Sequence, residues 1–214
     1  MDSQTNWAQR ERHALTDLMV SVGPDAPTLC EGWNTKDLAA HIAIRERRPD
    51  AAVGVVIGAL SEHTKKVQSE YTAMPWATLL DMLRVGPPSW NPMSWSRVDN
   101  VANLIEFLVH HEDVLRAQEG WQPRVLPDEL NKLIMSRLRS GAWLFWRRAK
   151  VGVVLTDGHS SIVAKRPPKE TGIVTVTGEP MELLLKSFGR KNTMVRVSGT
   201  EEDIAKYEKT NLSA

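Results

Sequence analysis

Cysteine is nearly absent from this chain, since Cys30 is the only one among 214 residues. A single cysteine cannot form an intramolecular disulfide, and it cannot supply a cysteine-rich zinc knuckle or ribbon. If the chain binds a metal ion, the ligands must therefore be mostly nitrogen and oxygen atoms.

Long apolar segments and an excess of one charge are lacking as well. No segment approaches the roughly 18 consecutive apolar residues that span a bilayer, and residues 1–6 show no basic region followed by an apolar core. The 27 lysines and arginines nearly cancel the 26 aspartates and glutamates, and no five-residue run of like charge suits nucleic acid. We therefore expect a cytoplasmic protein whose partners are neither a membrane nor nucleic acid.

The common catalytic signatures are missing too. The sequence has no Gly-Xaa-Ser-Xaa-Gly turn, no phosphate loop ending in Gly-Lys-Ser/Thr, no Gly-Xaa-Gly-Xaa-Xaa-Gly segment and no His-Glu-Xaa-Xaa-His helix. Each absence disfavours a large class of enzymes. The histidines and carboxylates remain as the candidates for chemistry.

Up to about residue 150, apolar residues recur at the spacing of amphipathic helices. Leu15 and Met19 mark the first helix, which Gly23 ends, and Asn34 or Thr35 can cap the second. Three prolines make the segment 86–95 irregular. The predicted helices cover approximately residues 6–22, 35–48, 50–71, 75–85, 96–118 and 127–149.

Beyond residue 150 the pattern changes to alternating, β-branched runs that are typical of short strands. The predicted strands cover 151–156, 161–164, 172–177 and 193–197, and two further helices cover 179–188 and 201–209. We therefore predict an α+β chain, with a helical bundle at 1–150 and a small α/β domain at 151–214. A domain of about 65 residues is near the lower limit for independent stability and should dock on the bundle.

The segment 106–113 carries the strongest chemical signal. Glu106 and His110 are four residues apart, which places both side chains on one face of a helix. His41 lies on another predicted helix, and an antiparallel arrangement would bring it to the pair. Three protein ligands with one open position is the usual composition of a catalytic zinc site, and these donors also suit iron, nickel or manganese.

A second interpretation of the same residues needs no metal. Periodicity alone places Glu106, His110 and Asp113 on a solvated face, away from the apolar stripe of their helix, and His41 is then an ordinary core or surface histidine. In the metal interpretation, Asp113 accepts a hydrogen bond from the imidazole one turn before it and orients that ring. Cys30 is either a small buried residue or a nucleophile near the metal.

Three segments follow one another in a distinctive order: Leu29-Cys30-Glu31-Gly32-Trp33, Lys36-Asp37-Leu38-Ala39-Ala40-His41 and Glu106-Xaa-Xaa-Xaa-His110-Xaa-Xaa-Asp113. Together they resemble the DinB-like, mycothiol-dependent maleylpyruvate isomerase family of actinobacteria. The segment 45–52 is similar to a subgroup described as metal-binding proteins. The segment 174–190 resembles the small C-terminal domain of these proteins, which is akin to sterol carrier proteins.

This resemblance implies a DinB-like four-helix bundle that binds a divalent metal, often zinc, through His41, Glu106 and His110. It also implies mycothiol, or another small thiol, as a cosubstrate that the metal activates to attack an electrophilic small-molecule substrate. Three arginines are candidates for binding a carboxylate or a sugar-bearing cofactor, because a guanidinium suits bidentate contacts; otherwise they are surface or salt-bridging groups. These are Arg45, Arg47 and Arg190.

The resemblance thus favours a metal-binding protein that acts as a thiol-dependent transferase or isomerase. It does not carry over the isomerase reaction itself, because a fold or family does not fix the substrate. Two alternatives from other classes stay open: a non-enzymatic metal- or thiol-binding sensor or carrier, and an interaction domain that binds no metal.

Overall fold

A computed structural model describes residues 6–48, 50–51, 62–89, 103–210 and 212. Within them the chain is α+β, with eight helices and one four-stranded sheet. The helices are α1 Trp7–Val22, α2 Thr35–Arg47, α3 Glu62–Thr72, α4 Trp76–Val85, α5 Leu104–Leu115, α6 Asp128–Trp146, α7 Pro180–Ser187 and α8 Glu201–Glu208. The strands are β1 Gly152–Thr156, β2 Ser161–Lys165, β3 Ile173–Thr177 and β4 Arg196–Ser198. None of the described helices is both long and apolar enough to cross a membrane.

The predicted α+β class is confirmed, and most predicted elements coincide with observed ones. The predicted helix at 50–71 includes residues 52–61, and the predicted helix at 96–118 begins with residues 96–102; both stretches lie outside the described residues. The latter helix is described as α5, which ends at Leu115 and is followed by turns. The four-helix bundle stays a prediction.

The chain divides into two compact units, Met1–Pro123 and Arg124–Ala214. In the first unit, α1 packs against α4 and α5, while α2 packs against α3 and α4. The core is built from apolar residues of these five helices, among them Leu15, Met19, Leu38, Ile42, Leu79, Leu83 and Phe107.

Local signals set the ends of α1 and α2. The side chain of Asn6 accepts a hydrogen bond from the amide of Gln9 at the start of α1, and Gly23, with a φ of +87°, ends it. At the start of α2, Asn34 and Asp37 form a reciprocal capping box. These side chains satisfy amides that a helix start otherwise leaves without partners.

Two backbone hydrogen bonds hold the connector between α1 and α2. The amide of Leu29 donates to the carbonyl oxygen of Asp113 on α5 at 2.9 Å, and the amide of Thr35 donates to the carbonyl oxygen of Ala26 at 2.9 Å. The connector is therefore fixed both to the start of α2 and to the C-terminal part of α5.

The second unit contains the sheet, with strand order β2-β1-β3-β4. β1 and β3 are parallel, and the other two pairs are antiparallel. Val153 and Leu155 on β1 and Val174 and Val176 on β3 are fully buried, so alternate residues of the central strands face the core. α6 packs against α7 and β2, and α8 packs against β3.

The compact units separate before α6, because this helix packs with the sheet. The predicted domains, 1–150 and 151–214, instead divide the chain after α6, where helical periodicity changes to strand periodicity. Periodicity identifies a helix but does not reveal which neighbours its apolar face contacts. The domain assignment stays a prediction.

Candidate metal centre

Two helices of the first unit carry the predicted metal ligands. His41 lies in the middle of α2, with Arg45 one turn after it. Glu106, His110 and Asp113 follow one another on α5 at positions i, i+4 and i+7, which form one stripe along the helix. The site is therefore made where this stripe meets α2.

The three predicted ligands converge on one carboxylate oxygen. Oε1 of Glu106 lies 3.2 Å from Nε2 of His110 and 3.5 Å from Nε2 of His41. One donor atom from each residue lies within 4.8 Å of the other two. Two ligands bound tetrahedrally to zinc at its usual bond lengths lie about 3.3 Å apart. The donor types and their spacing therefore suit a divalent ion of this size.

The polar stripe of α5 is buried, so the prediction of a solvated face is wrong. His41 and His110 are 7% and 8% exposed, Asp113 is fully buried, and the side chain of Glu106 is 23% exposed. Periodicity finds the more apolar side of α5, but it cannot show that α2 places the side chains of His41 and Arg45 against the polar side.

His41 and Glu106 take the protonation states that a metal ligand needs. Burial lowers the pKa of His41 below its usual value, although the contact with Glu106 opposes the shift. Burial acts to raise the pKa of Glu106, but its hydrogen bonds with His110 and His41 outweigh burial and hold this pKa well below the usual range. At neutral pH, His41 is a neutral imidazole and Glu106 is an ionised carboxylate.

His110 connects two carboxylates through its two ring nitrogens. Nε2 lies 3.2 Å from Oε1 of Glu106, and Nδ1 lies 3.0 Å from Oδ2 of Asp113. Burial acts to lower the pKa of His110, but Asp113, Cys30 and Glu106 together raise it well above its usual value. The raised pKa keeps both ring nitrogens protonated at neutral pH in the absence of a metal. We assign the Nδ1 proton to the bond with Asp113, so Nε2 is the atom that loses its proton and binds a metal beside Glu106.

Sequence reasoning missed the contribution of Asn103. Nη1 of Arg45 donates a hydrogen bond to Oδ1 of the fully buried Asn103 at 2.6 Å, and Nε of Arg45 lies 3.7 Å from Oε1 of Glu106. Arg45 thus places a fixed positive charge beside the candidate ligand. Asn103 lies three residues before Glu106, and this spacing is the signal that would have identified it.

Aromatic packing restrains the ring of His41. Its centroid lies 5.1 Å from the ring centroid of Trp33 and 5.5 Å from that of His110, which it meets edge to face. Asn34, which directly follows Trp33, belongs to the capping box at the start of α2. The capping box thereby positions Trp33, so the connector and the helix together orient the imidazole of His41.

Comparisons with known proteins agree with this architecture. No family model and no curated protein matches the sequence. The structure is similar to crystal structures of the mycothiol-dependent maleylpyruvate isomerase and of a histidine-to-alanine mutant of it, with TM-scores of 0.62 and 0.60. The sequence identities are 17% and 16%, and each alignment covers 90% of both chains. The chain has the fold of a mycothiol-dependent maleylpyruvate isomerase. The predicted resemblance is thus confirmed at the level of the fold.

Two of the arginines nominated for cofactor binding make backbone contacts in this isomerase fold. Nη2 of Arg47 donates to the carbonyl oxygens of Met82 and Gly86, at 3.3 and 2.8 Å, at the C-terminal end of α4. Arg190 belongs to the second unit, where its guanidinium donates to the carbonyl oxygen of Phe188 at 3.0 Å. Cofactor binding by these residues and by Arg45 stays a prediction.

Proposed function

We propose that the chain binds one divalent metal ion, in the first instance zinc, through Nε2 of His41, Oε1 of Glu106 and Nε2 of His110. The observation that carries the proposal is the convergence of two imidazoles on one carboxylate oxygen at the spacing of metal ligands. Three protein donors are typical of catalytic zinc sites, which keep a position for water or substrate.

We further propose that the protein is a transferase or isomerase that uses a low-molecular-weight thiol, with mycothiol as the first candidate. A divalent metal lowers the pKa of a bound thiol and so supplies a thiolate at neutral pH. The fold shared with the mycothiol-dependent maleylpyruvate isomerase supports this choice. The electrophilic substrate is left open, because one fold serves many reactions.

The chain's own residues prepare the donors. Asp113 accepts a hydrogen bond from Nδ1–H of His110, and this contact turns Nε2 toward Glu106. Arg45, held by Asn103, keeps the carboxylate of Glu106 from rotating freely and offsets part of its charge. Nearly complete burial of both imidazoles limits the access of water to the donors.

Metal content per chain tests the metal proposal. Protein purified without an affinity tag should contain about one equivalent of a divalent metal by mass spectrometry, or take it up on reconstitution. His110→Ala should lose it, whereas His13→Ala, which removes an exposed histidine on α1, should retain it. Wild type that takes up no metal after reconstitution would refute the proposal.

Turnover tests the thiol proposal separately. The metal-loaded protein should either isomerise maleylpyruvate only when mycothiol is present, with the thiol regenerated, or consume mycothiol as it forms a thioether with a chromogenic halogenated arene; His110→Ala should do neither. Metal binding without turnover on any thiol and electrophile pair would favour the non-enzymatic sensor or carrier instead.

A further inference from the structure

A second group of donor atoms lies at the other ring nitrogen of His110. Oδ2 of Asp113 is 3.0 Å from Nδ1 of His110 and 3.3 Å from Sγ of Cys30. One donor atom from each of these three residues lies within 4.8 Å of the other two. Asp113 is fully buried and Cys30 is half-buried, so the cluster reaches from the interior toward the surface at its sulfur end.

The backbone fixes this thiol in place. The amide of Leu29 donates to the carbonyl oxygen of Asp113 at 2.9 Å, which ties the connector to the same residue whose carboxylate meets the sulfur. The amide of Cys30 donates to Oγ1 of Thr28 at 3.1 Å, and that hydroxyl donates to the carbonyl oxygen of Trp33 at 2.8 Å. The three donor atoms are therefore preorganised and are not a chance meeting of flexible side chains.

We propose that Cys30, His110 and Asp113 form a second cation site, for a thiophilic divalent ion such as cobalt(II), zinc or cadmium. A thiolate, an imidazole and a carboxylate are all ligands that such borderline and soft ions accept. Tetrahedral zinc ligands need about 3.6 Å between sulfur and oxygen and about 3.3 Å between nitrogen and oxygen. The present hydrogen-bonded distances need to open by only a few tenths of an ångström.

Protons leave when this site fills. The thiol S–H bond breaks with its electron pair staying on sulfur, which becomes a ligand, and the Nδ1–H bond breaks in the same way; both protons go to solvent. His110 then keeps its Nε2 proton toward Glu106. The site at His41 and Glu106 needs the opposite tautomer, with the proton on Nδ1. The two sites therefore compete for the imidazole of His110. The second site can form whether or not the first site binds a metal.

Cobalt(II) is the probe, because coordination by sulfur gives a near-ultraviolet charge-transfer band that nitrogen and oxygen ligands do not give. We would titrate the full chain with cobalt(II) in a buffer that contains a phosphine reductant. Wild type should develop this band, and Cys30→Ser should lose it while keeping its fold, since a serine hydroxyl can still donate to Asp113. His41→Ala should show the band at a lower cobalt concentration, because the competing site is gone.

Two results would overturn the second site. One is a His41→Ala protein, which lacks the competing site, that saturates with cobalt and shows no sulfur band. The other is a sulfur band that survives both His110→Ala and Asp113→Asn, because Cys30 would then bind the ion as a lone thiol. Failure of the first site has a different signature: His41→Ala would develop the sulfur band at the same cobalt concentration as wild type, with unchanged visible bands.

Discussion

Replacing Glu46 by glutamine should destabilise the first unit by about 3–5 kcal/mol, the usual cost of breaking a buried ion pair at one partner. Arg12 on α1 and Glu46 on α2 are 2% and 0% exposed, and Nη1 of Arg12 lies 2.9 Å from Oε2 of Glu46. Nη2 donates to the other carboxylate oxygen, so the pair is bidentate.

Two further contacts of Arg12 are with neutral groups, which do not replace the lost charge. Nη1 of Arg12 also donates to the carbonyl oxygen of Leu83 at 2.9 Å, and its guanidinium carbon lies 4.5 Å from the ring centroid of Phe107. A glutamine at position 46 keeps one acceptor oxygen but turns an N–H₂ group toward a guanidinium that only donates. Against a total stability of about 5–15 kcal/mol, this loss is large.

A surface pair provides the matched control. Asp17 on α1 and Arg84 on α4 form an ion pair whose side chains are 67% and 50% exposed. Asp17→Asn should cost no more than about 1 kcal/mol. Replacing both buried partners, as Arg12→Met with Glu46→Leu, should recover most of the loss, because neither partner is then left as an unpaired buried charge.

Urea denaturation followed by far-ultraviolet circular dichroism measures these differences, and hydrogen exchange of the α1 and α2 amides assigns them to the first unit. The contributions of exposed ion pairs to the free energy of unfolding scatter by about 1 kcal/mol. If the free energies of unfolding of Glu46→Gln and Asp17→Asn differ by less than that, the argument from burial fails. Because Glu46 directly follows Arg45 on α2, the loss should also weaken metal binding.

Four further expectations follow from single contacts. Asp113→Asn should lower metal affinity about 10–100-fold in competition with a fluorescent zinc chelator, since the carboxylate orients His110. Removing metal with a chelator should lower the melting temperature of wild type but not of His110→Ala. Hydrogen bonds from a threonine hydroxyl and from the amide of Gly172 lower the pKa of Asp203 below 3.8. The contribution of Asp203 to folding stability is therefore complete above that pH and disappears as the pH falls through the lowered pKa. Asp203→Ala should flatten this acid dependence of the melting temperature. Gly172→Ala should destabilise the second unit because its Cβ would overlap the Asp203 carboxylate, whereas Gly141→Ala, on α6 with open space around it, should stabilise by about 1 kcal/mol.

Each of these has a contrary result. Equal zinc affinities of wild type and Asp113→Asn would show that the carboxylate of Asp113 does not orient the ring of His110. A chelator that also lowers the melting temperature of His110→Ala would show that the metal binds elsewhere. An acid transition that is the same in Asp203→Ala and wild type would mean that other carboxylates dominate it. Equal melting temperatures of the two glycine variants would show that the Asp203 side chain can move aside.

Local sequence signals were sufficient for the helix ends and for part of the site. Asn6, Gly23 and Asn34 act through contacts within a few residues, and the roles of Gly23 and Asn34 were predicted from the chain. The pair of Glu106 and His110 could also be identified from the sequence, because residues four apart lie on the same face of a helix. The meeting of His41 with this pair was an expectation from two helices and from a family resemblance.

The remaining features depend on contacts between elements, which spacing does not encode. The pairing of Arg12 with Glu46 spans α1 and α2, and neither residue has a distinctive local pattern. The burial of the polar stripe on α5 has the same origin, since α2 supplies the charge of Arg45 and the imidazole of His41, which make burial of Glu106 tolerable. The spacing of three residues places Asn103 on the same face as Glu106, but it does not identify Arg45 as its partner.

The connector before α2 has a consequence for how this protein can change over evolution. Its hydrogen bonds from Leu29 to Asp113 and from Thr35 to Ala26 fix the number of residues between the two ties. An insertion or deletion there would shift Cys30 and Trp33 out of register with the imidazoles, although surface loops usually tolerate such changes well. We expect related sequences to vary in side chains along this connector while conserving its length.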